Sequence, residues 1–264
     1  MSFKRFDLSD ELVRALEKLG YKEPSPVQSA VIPKALRGKS LLAQSETGSG
    51  KTHAYLIPIL EKIDRNLPRP QALIIAPTRE LARQIYEFAR AFEKYLPKLR
   101  IRLFSSESEV TDNAQGAKMP PQIIIGTPGR LRDVLLNRQF YSVRNVRFFV
   151  LDEADMLLEL GFFEDIENIA SALKSPQTMV FSATLKPNLK DELEKFVPSD
   201  FEFESENVET SKNVAHHLVD IKHIGEAAAV LRFLEIRKPY LSIVFASKVE
   251  KVNQTYKTLK ENGV

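Results

Sequence analysis

The 264-residue chain has no cysteine, so it can build neither a disulfide framework nor a thiolate metal site. The lack of cysteine is compatible with a reducing cytoplasm, the location the sequence suggests. No apolar run approaches the roughly 20 residues that span a bilayer. The opening segment, Met1 to Val13, lacks the apolar stretch and small-residue site of a secretory signal. Four histidines are present but none in H-E-x-x-H spacing, which argues against a zinc hydrolase; His216 and His217 are adjacent and would face opposite ways on a strand. Charge of one sign is lacking too: 38 basic against 35 acidic residues give a net +3, too balanced to indicate nucleic acid by itself, although a local patch is compatible with it.

What is present is a core. Hydrophobic residues make up 43% of the chain. Short apolar runs at Leu41–Ala43, Ala72–Ala76, Ile101–Phe104, Ile123–Ile125, Phe148–Leu151 and Met179–Phe181 are mostly continuous, as in strands covered on both faces. Between them, Thr52–Ile63, Arg79–Tyr95, Leu131–Asn137, Phe163–Leu173 and Leu189–Phe196 have helical periodicity, and Asp10–Leu19 forms a helix before the first strand, with Ser9 and Gly20 as caps. Strand alternating with helix predicts a doubly wound α/β fold with a parallel sheet and helices on both faces. The stretch after Pro198, including acidic Phe203–Glu209, reads as a linker. Beyond it, Ala215–Lys222 and Ser242–Ala246 read as strands, and Ala227–Ile236 and Lys248–Glu261 as helices: two β-α units of a second sheet, expected to bury little core.

Ser45-Glu46-Thr47-Gly48-Ser49-Gly50-Lys51-Thr52 follows a strand and opens a helix, the context of a phosphate-binding loop. Gly48 and Gly50 let backbone amides approach phosphate oxygens, Lys51 reaches the β- and γ-phosphates, and the Thr52 hydroxyl helps hold Mg²⁺. The general pattern has glycine where Ser45 stands. Glu46 has no chemical need for its charge and is expected to face solvent. Phe148-Phe-Val-Leu-Asp152-Glu153 is an apolar strand ending in two carboxylates: Asp152 for Mg²⁺, Glu153 to orient and deprotonate water. Together the two motifs indicate an ATP- or GTP-binding protein and nothing about RNA.

The next residues narrow this. Asp152-Glu-Ala-Asp155, Pro77-Thr-Arg-Glu-Leu-Ala82, Thr127-Pro-Gly-Arg130 and Ser182-Ala-Thr184 resemble, in order, the motifs of the DEAD-box RNA helicases. Gly20-Tyr-Lys-Glu-Pro24-Ser25-Pro-Val-Gln28 is similar to that family's adenine-reading Q motif, with Phe3 in the place of its isolated upstream aromatic. The overall look is that of bacterial cold-shock and ribosome-assembly members. The resemblance covers essentially the whole chain and implies a RecA-like ATP-binding domain over 1–205 (Q-motif helix at 3–28), a linker at 206–212, and the start of a second RecA-like domain at 213–264. It implies ATP and Mg²⁺ as cofactors, RNA as partner, ribosomal or messenger-ribonucleoprotein proteins as further partners, and no membrane.

By the same resemblance, Gln28 pairs with the adenine edge, its one amide donor and one acceptor favouring ATP over GTP, and Phe3 stacks on the ring unless it is only a core anchor, as Phe6 is expected to be. Pro77, Thr78, Arg79, Thr127, Gly129 and Arg130 hold the RNA backbone, reading phosphate and sugar rather than bases. Arg79 can equally be a helix-opening residue paired to an acid, and Arg130 a local ion-pair residue. Ser182 and Thr184 link the nucleotide site to RNA, with Asp155 bonded to them, or simply cap the Lys186–Phe196 helix. Ser242–Lys248 faces the interdomain cleft, or is a buried strand. His53 is expected to pack or to be solvated.

Two departures stand out. Where the family has a Gly-Gly pair the chain has Leu103-Phe-Ser105-Ser106-Glu107, which predicts weakened or altered RNA binding there. The family's arginine-rich last motif, whose arginine fingers supply about 10³–10⁵ in rate, would lie beyond Val264. The expectation is an ATP-dependent RNA helicase core that binds nucleotide but hydrolyses it slowly as given. A non-enzymatic module binding nucleotide or RNA is the alternative. A P-loop ATPase of another class, such as a DNA translocase or a kinase, fits Gln28 and Phe3 poorly.

Overall fold

The structure, a computed structural model, describes residues 2–106, 119–185, 187–198, 201–205, 215, 217–221 and 224–264. The chain divides into two compact units, Met1–Val208 and Glu209–Val264.

The first unit is built on a seven-stranded sheet in the order β3-β4-β2-β5-β6-β1-β7, every neighbouring pair parallel. The strands are β1 (Leu41–Gln44), β2 (Ala72–Ile75), β3 (Ile101–Phe104), β4 (Ile123–Gly126), β5 (Phe148–Leu151), β6 (Gln177–Ser182) and β7 (Glu202–Ser205). Side chains alternate faces along a strand, so a continuous apolar run feeds two cores at once. Ile74, Val150 and Phe181 enter one core; Leu73, Ile75, Phe149 and Leu151 enter the other. The first core is covered by α1 (Asp10–Lys18), α2 (Pro26–Leu36), α3 (Lys51–Lys62) and α4 (Arg79–Arg90), through residues such as Leu16, Ile32, Tyr55 and Ile85. The second is covered by α5 (Pro128–Arg132), α6 (Ala154–Glu159), α7 (Phe163–Ser171) and α8 (Pro187–Glu194), through Leu131, Leu157, Ile166 and Leu193. The fold is therefore the doubly wound, RecA-like α/β architecture expected, with helices on both sides of a parallel sheet.

Several local expectations need correction. The acidic segment after Pro198 is not all linker: Glu202–Ser205 is an edge strand paired with β1. Its carboxylates Glu202 and Glu204 are both engaged by Lys34 of α2, and that neutralisation lets an acidic stretch lie along the sheet. The expected linker 206–212 lies outside the described residues. The 3–28 helix is three pieces: a 3₁₀ turn at Phe3–Arg5, then α1, then the start of α2. The helix expected at Leu131–Asn137 is α5 followed by a π-helical turn, Asp133–Asn137, closed by Arg138 N–H to Asp133 O at 2.8 Å. The Arg79–Tyr95 helix tightens into a 3₁₀ turn at Ala91–Lys94. Helix α8 is described from Pro187; the expected first residue, Lys186, lies outside the described residues.

The second unit contributes two helices, α9 (Glu226–Arg237) and α10 (Val249–Glu261). The strands expected at Ala215–Lys222 and Ser242–Ala246 are absent among the described residues; His217–Ile221 and 242–246 are irregular, and His216 and Lys222 lie outside the description. A strand exists only by hydrogen bonding to another strand, and neither run has a described partner.

Candidate functional site

In a parallel sheet every strand delivers its following loop to the same edge. The loops after β1 (45–50), β5 (152–153) and β6 (183–185), and those after β2 (76–78) and β4 (127), therefore meet along one rim of the first unit.

The phosphate-binding loop is defined by backbone. Gly48 and Gly50 have φ of 86° and 102°, left-handed values that side chains disfavour. Gly50 is also the N-cap of α3, and a Cβ there would stand 2.5 Å from the Gln28 amide nitrogen. Ser45, standing where glycine is usual, is fully buried and its hydroxyl meets that of Ser49 at 2.8 Å. Glu46 and Thr47 are exposed, as expected for Glu46.

Lys51 is 5% exposed and turns inward, donating to the Ser45 carbonyl at 3.1 Å and pairing with Glu153 Oε1 at 2.9 Å. Thr47 Oγ1 donates to the same carboxylate oxygen at 3.4 Å. Glu153 itself has φ 47°, unusual for a residue with a side chain, and is the N-cap of α6. Asp152 is buried, and its Oδ2 accepts from the Tyr55 hydroxyl at 2.8 Å. Burial pushes the Asp152 carboxyl up from 3.8 to about 6, against the Tyr55 hydrogen bond and Lys51, which hold it down. The phenol thus braces Asp152, one of the two side chains expected at the metal. Sequence reading passed over Tyr55; the signal was there, since on α3 it lies one helical turn after the Lys51–Thr52 pair.

Gln28 is buried with both ends of its amide engaged: Oε1 accepts from Ser25 N at 3.1 Å, and Nε2 donates to Gly50 O at 3.0 Å. The first bond is half of a capping box at the start of α2. Phe3 is buried at 3% exposure, its ring edge-on to Phe6. His53 packs between Tyr21 and Phe88, ring centroids 4.3 and 5.1 Å away, and its Nε2 has no hydrogen-bond partner. Burial lowers its pKa from 6.5 to about 4, so it is a neutral packing residue.

Asp155 Oδ2 accepts from both Thr184 N and Thr184 Oγ1 at 2.9 Å, and Ser182 Oγ donates to Thr184 O at 2.6 Å. This joins the loop after β5 to the loop after β6. Farther along the rim, Pro77, Thr78, Arg79, Thr127, Gly129 and Arg130 line one open cleft of about 570 Å³, together with Ser105, Glu80 and Phe162. Thr78 Oγ1 caps α4 through Leu81 N at 3.2 Å, whereas Thr127 caps α5 without a side-chain bond. Arg79 is exposed and makes no ion pair among the described residues. Two helix N-termini and two guanidinium groups share this cleft with the Glu80 carboxylate. Ser105 belongs to the Gly-Gly departure and lines this cleft; Glu107 lies outside the described residues.

Residues 25–192 match the DEAD/DEAH box helicase family. The chain belongs to that family. It is 32% identical over 265 residues to the DEAD-box ATP-dependent RNA helicase CshB of Staphylococcus aureus, covering 99% of this chain and 59% of that protein. It is 36% identical to CshB of Listeria monocytogenes, covering 99% and 61%, and 35% identical to CshA of Bacillus cereus, covering 99% and 50%. The chain thus spans half to three-fifths of the curated relatives it matches. Among solved structures it resembles a DEAD box protein from Methanococcus jannaschii, with a TM-score of 0.73, 30% identity and coverage of 100% of this chain and 71% of that one. It also resembles S. cerevisiae Dbp5 bound to RNA and ADP BeF3, with a TM-score of 0.80, 25% identity and coverage of 99% and 67%. Among the described residues no helix of this DEAD-box chain is long and apolar enough to cross a membrane.

Proposed function

We propose that the chain is the ATP-binding core of a cytoplasmic RNA-remodelling helicase, and that the Lys51–Glu153 ion pair is its resting state. That pair carries the reading, because a lysine opening α3 and a carboxylate following β5, 2.9 Å apart in a buried site, are what a phosphate-binding cation beside a water-activating base would look like. The division into domains at 1–205, 206–212 and 213–264 belongs to the same proposal.

The residues fit ATP and Mg²⁺. Glycines at left-handed φ leave backbone amides of the loop open to phosphate. Thr52 and Asp152, the latter braced by Tyr55, would hold Mg²⁺, which when bound supplies positive charge to the phosphate oxygens. Among the described residues no three His, Cys, Asp or Glu stand together as a metal cage. A cation held by one carboxylate and one hydroxyl suits Mg²⁺, which keeps waters and shares phosphate ligands.

On this reading Lys51 leaves the Ser45 carbonyl and Glu153 for the β- and γ-phosphates. Glu153, relieved of its partner, orients a water and accepts its proton. The Asp155–Thr184 bonds carry the change to the next loop. Gln28 keeps one N–H and one carbonyl lone pair beyond its bonds to Gly50 O and Ser25 N, a donor and an acceptor for the adenine edge, so the loop, the start of α2 and the base would share one amide. Phe3 would stack on the base only after leaving the core. The cleft of Arg79, Thr127, Gly129 and Arg130 takes the RNA backbone without reading sequence, supported by its helix N-termini and guanidinium groups. On this reading hydrolysis by this chain is slow, since Lys51 and Glu153 must first part from each other before either serves the phosphate or the water.

Equilibrium binding of a fluorescent adenine nucleotide, with ATP and GTP as competitors, tests the site. ATP should outcompete GTP by about tenfold or more, since a good bidentate contact discriminates by about 1–3 kcal/mol, and Lys51→Ala should abolish binding. GTP competing equally would remove Gln28 from its role. Hydrolysis measured alongside, with and without RNA, should stay near background. Strong RNA stimulation would show that the reaction needs no further arginine.

A further inference from the structure

The opposite edge of the sheet, where strands begin, should be chemically plain in a protein whose ligands bind where strands end. It is not. The loops entering β1, β2, β5 and β6 enclose a cavity of about 620 Å³ whose lining includes Lys39, Arg69, Arg144, Arg147 and Lys174, and no carboxylate among the described residues. Among the described residues five cations and no acid stand together here, in a chain whose charges are nearly balanced, 38 against 35. Strands β1 and β5 are four residues long, so about 13 Å of strand separates this cavity from the phosphate-binding rim. Neither the nucleotide loop nor the RNA cleft explains it.

The cavity is rigidly framed. Gln177 Nε2 donates to Ala35 O at 3.0 Å and Lys39 O at 2.7 Å, joining the entry to β6 with the entry to β1. Arg147 N donates to Gln71 O at 2.7 Å, and Gln177 N to Arg147 O at 2.8 Å, joining β2, β5 and β6. Arg147 is itself held, Nη1 donating to Lys62 O at 3.1 Å with the guanidinium 5.5 Å from the Phe148 ring centre. Arg69 sits between Pro68 and Pro70 on a turn closed by Arg69 N to Leu67 O at 3.0 Å, and Lys174 precedes Ser175, whose φ is 49°. Arg69, Arg144 and Lys174 are exposed and make no ion pair among the described residues. Preset loops and unneutralised cations lower the ordering cost of binding a polyanion.

We infer that this cavity is a second RNA-binding surface, taking the phosphate backbone of double-stranded RNA outside the region being remodelled; this rests on the RNA-remodelling reading above. Guanidinium groups fit phosphate oxygens in a bidentate manner. Among the described lining residues the one aromatic, Phe148, is buried at 3% exposure and lies beneath Arg147, so those residues offer a base no stacking platform. That favours duplex backbone over splayed single strand. A protein partner would want an aromatic or aliphatic anchor pocket, and the lining is predominantly polar and cationic.

The test uses the 264-residue chain and two probes: a short single strand that reaches the rim alone, and a hairpin of about 20 base pairs, longer than the ~16 base pairs a compact double-strand-binding module spans. Arg69→Gln, Arg144→Gln and Lys174→Gln together should weaken hairpin binding by about tenfold or more, and make log K against log salt shallower by about 2–3, since each phosphate contact contributes about 0.9 to that slope. Fluorescent-nucleotide binding, melting temperature and short-strand affinity should be unchanged. If the triple variant proves unstable, single Arg144→Gln and Lys174→Gln changes carry the same test at about one slope unit each. Unchanged hairpin affinity and slope overturn the inference, as does equal loss of both probes, which would mark diffuse electrostatics. An Arg79→Ala, Arg130→Ala variant separates the two readings. If it alone loses RNA, the cavity falls and the rim stands; if neither variant loses RNA, both fall.

Discussion

The two units of this chain carry similar apolar runs and fold differently. Ala72–Ile75 and Phe148–Leu151 are strands with every residue buried. Ser242–Ala246 is just as apolar and irregular, with Phe245 89% exposed. In α9 no residue is buried, and in α10 only Thr255 is. The comparison teaches that a β-strand is not a property of its residues. It is a relation among segments, and each apolar run in the first unit has a flanking strand on at least one side and helices above and below.

Hydrogen exchange should show the largest contrast. Amides of β2, β4 and β5 should exchange only through global opening, at least about 10³-fold more slowly than those of 242–246, because local opening spans the range from near zero to the full stability. Strong protection at 242–246 would break the comparison. Truncation comes next: Phe149→Ala should cost about 3–5 kcal/mol in urea unfolding of the first unit, and Phe245→Ala less than about 0.5 kcal/mol. Similar costs would mean that Phe245 has a partner in solution.

The folded unit also opposes two titrations. Asp152 holds its proton more tightly in the native state, about 6 against 3.8, so raising pH through that window lowers stability by up to about 3 kcal/mol. His53 holds its proton less tightly, about 4 against 6.5, so raising pH through its window increases stability by a similar amount. In metal-free buffer the two nearly cancel between pH 4 and 6. His53→Phe should leave a melting temperature that falls with pH there, and Asp152→Asn one that rises; two flat profiles would refute the pairing. The smallest effect is that of Tyr55→Phe, which should weaken Mg²⁺-dependent nucleotide binding several-fold, about 1 kcal/mol, and leave Mg²⁺-free binding alone. Equal loss with and without Mg²⁺ would make Tyr55 a packing residue.

Much of this was legible in the residues. Buried parallel strands announce themselves as unbroken apolar runs, so β1 to β6 could be placed within a few residues. The turn at 45–50 needed only its glycines and its place between strand and helix. Strand β7 could not be read, because its acidic residues look solvated until Lys34, far away in sequence, is seen across them. Helix α2 carried a legible start, Ser25 followed by Gln28 three residues on; reading Gln28 for its ligand hid its cap. What no pattern shows is which partner a polar side chain chooses. Lys51 with Glu153, Gln28 with Gly50 and Asp152 with Tyr55 are contacts between residues 22 to 102 positions apart.

The Lys51–Glu153 pair has a consequence for how variants are interpreted. On the proposed function an incoming phosphate would compete with an internal carboxylate for one ammonium, so a measured nucleotide affinity would be what remains after that rivalry. Glu153→Gln would remove the rival together with the proposed base. Such a chain should retain nucleotide more tightly even where hydrolysis was negligible to begin with, and its long-lived complexes would report a vacated counter-ion rather than an arrested reaction.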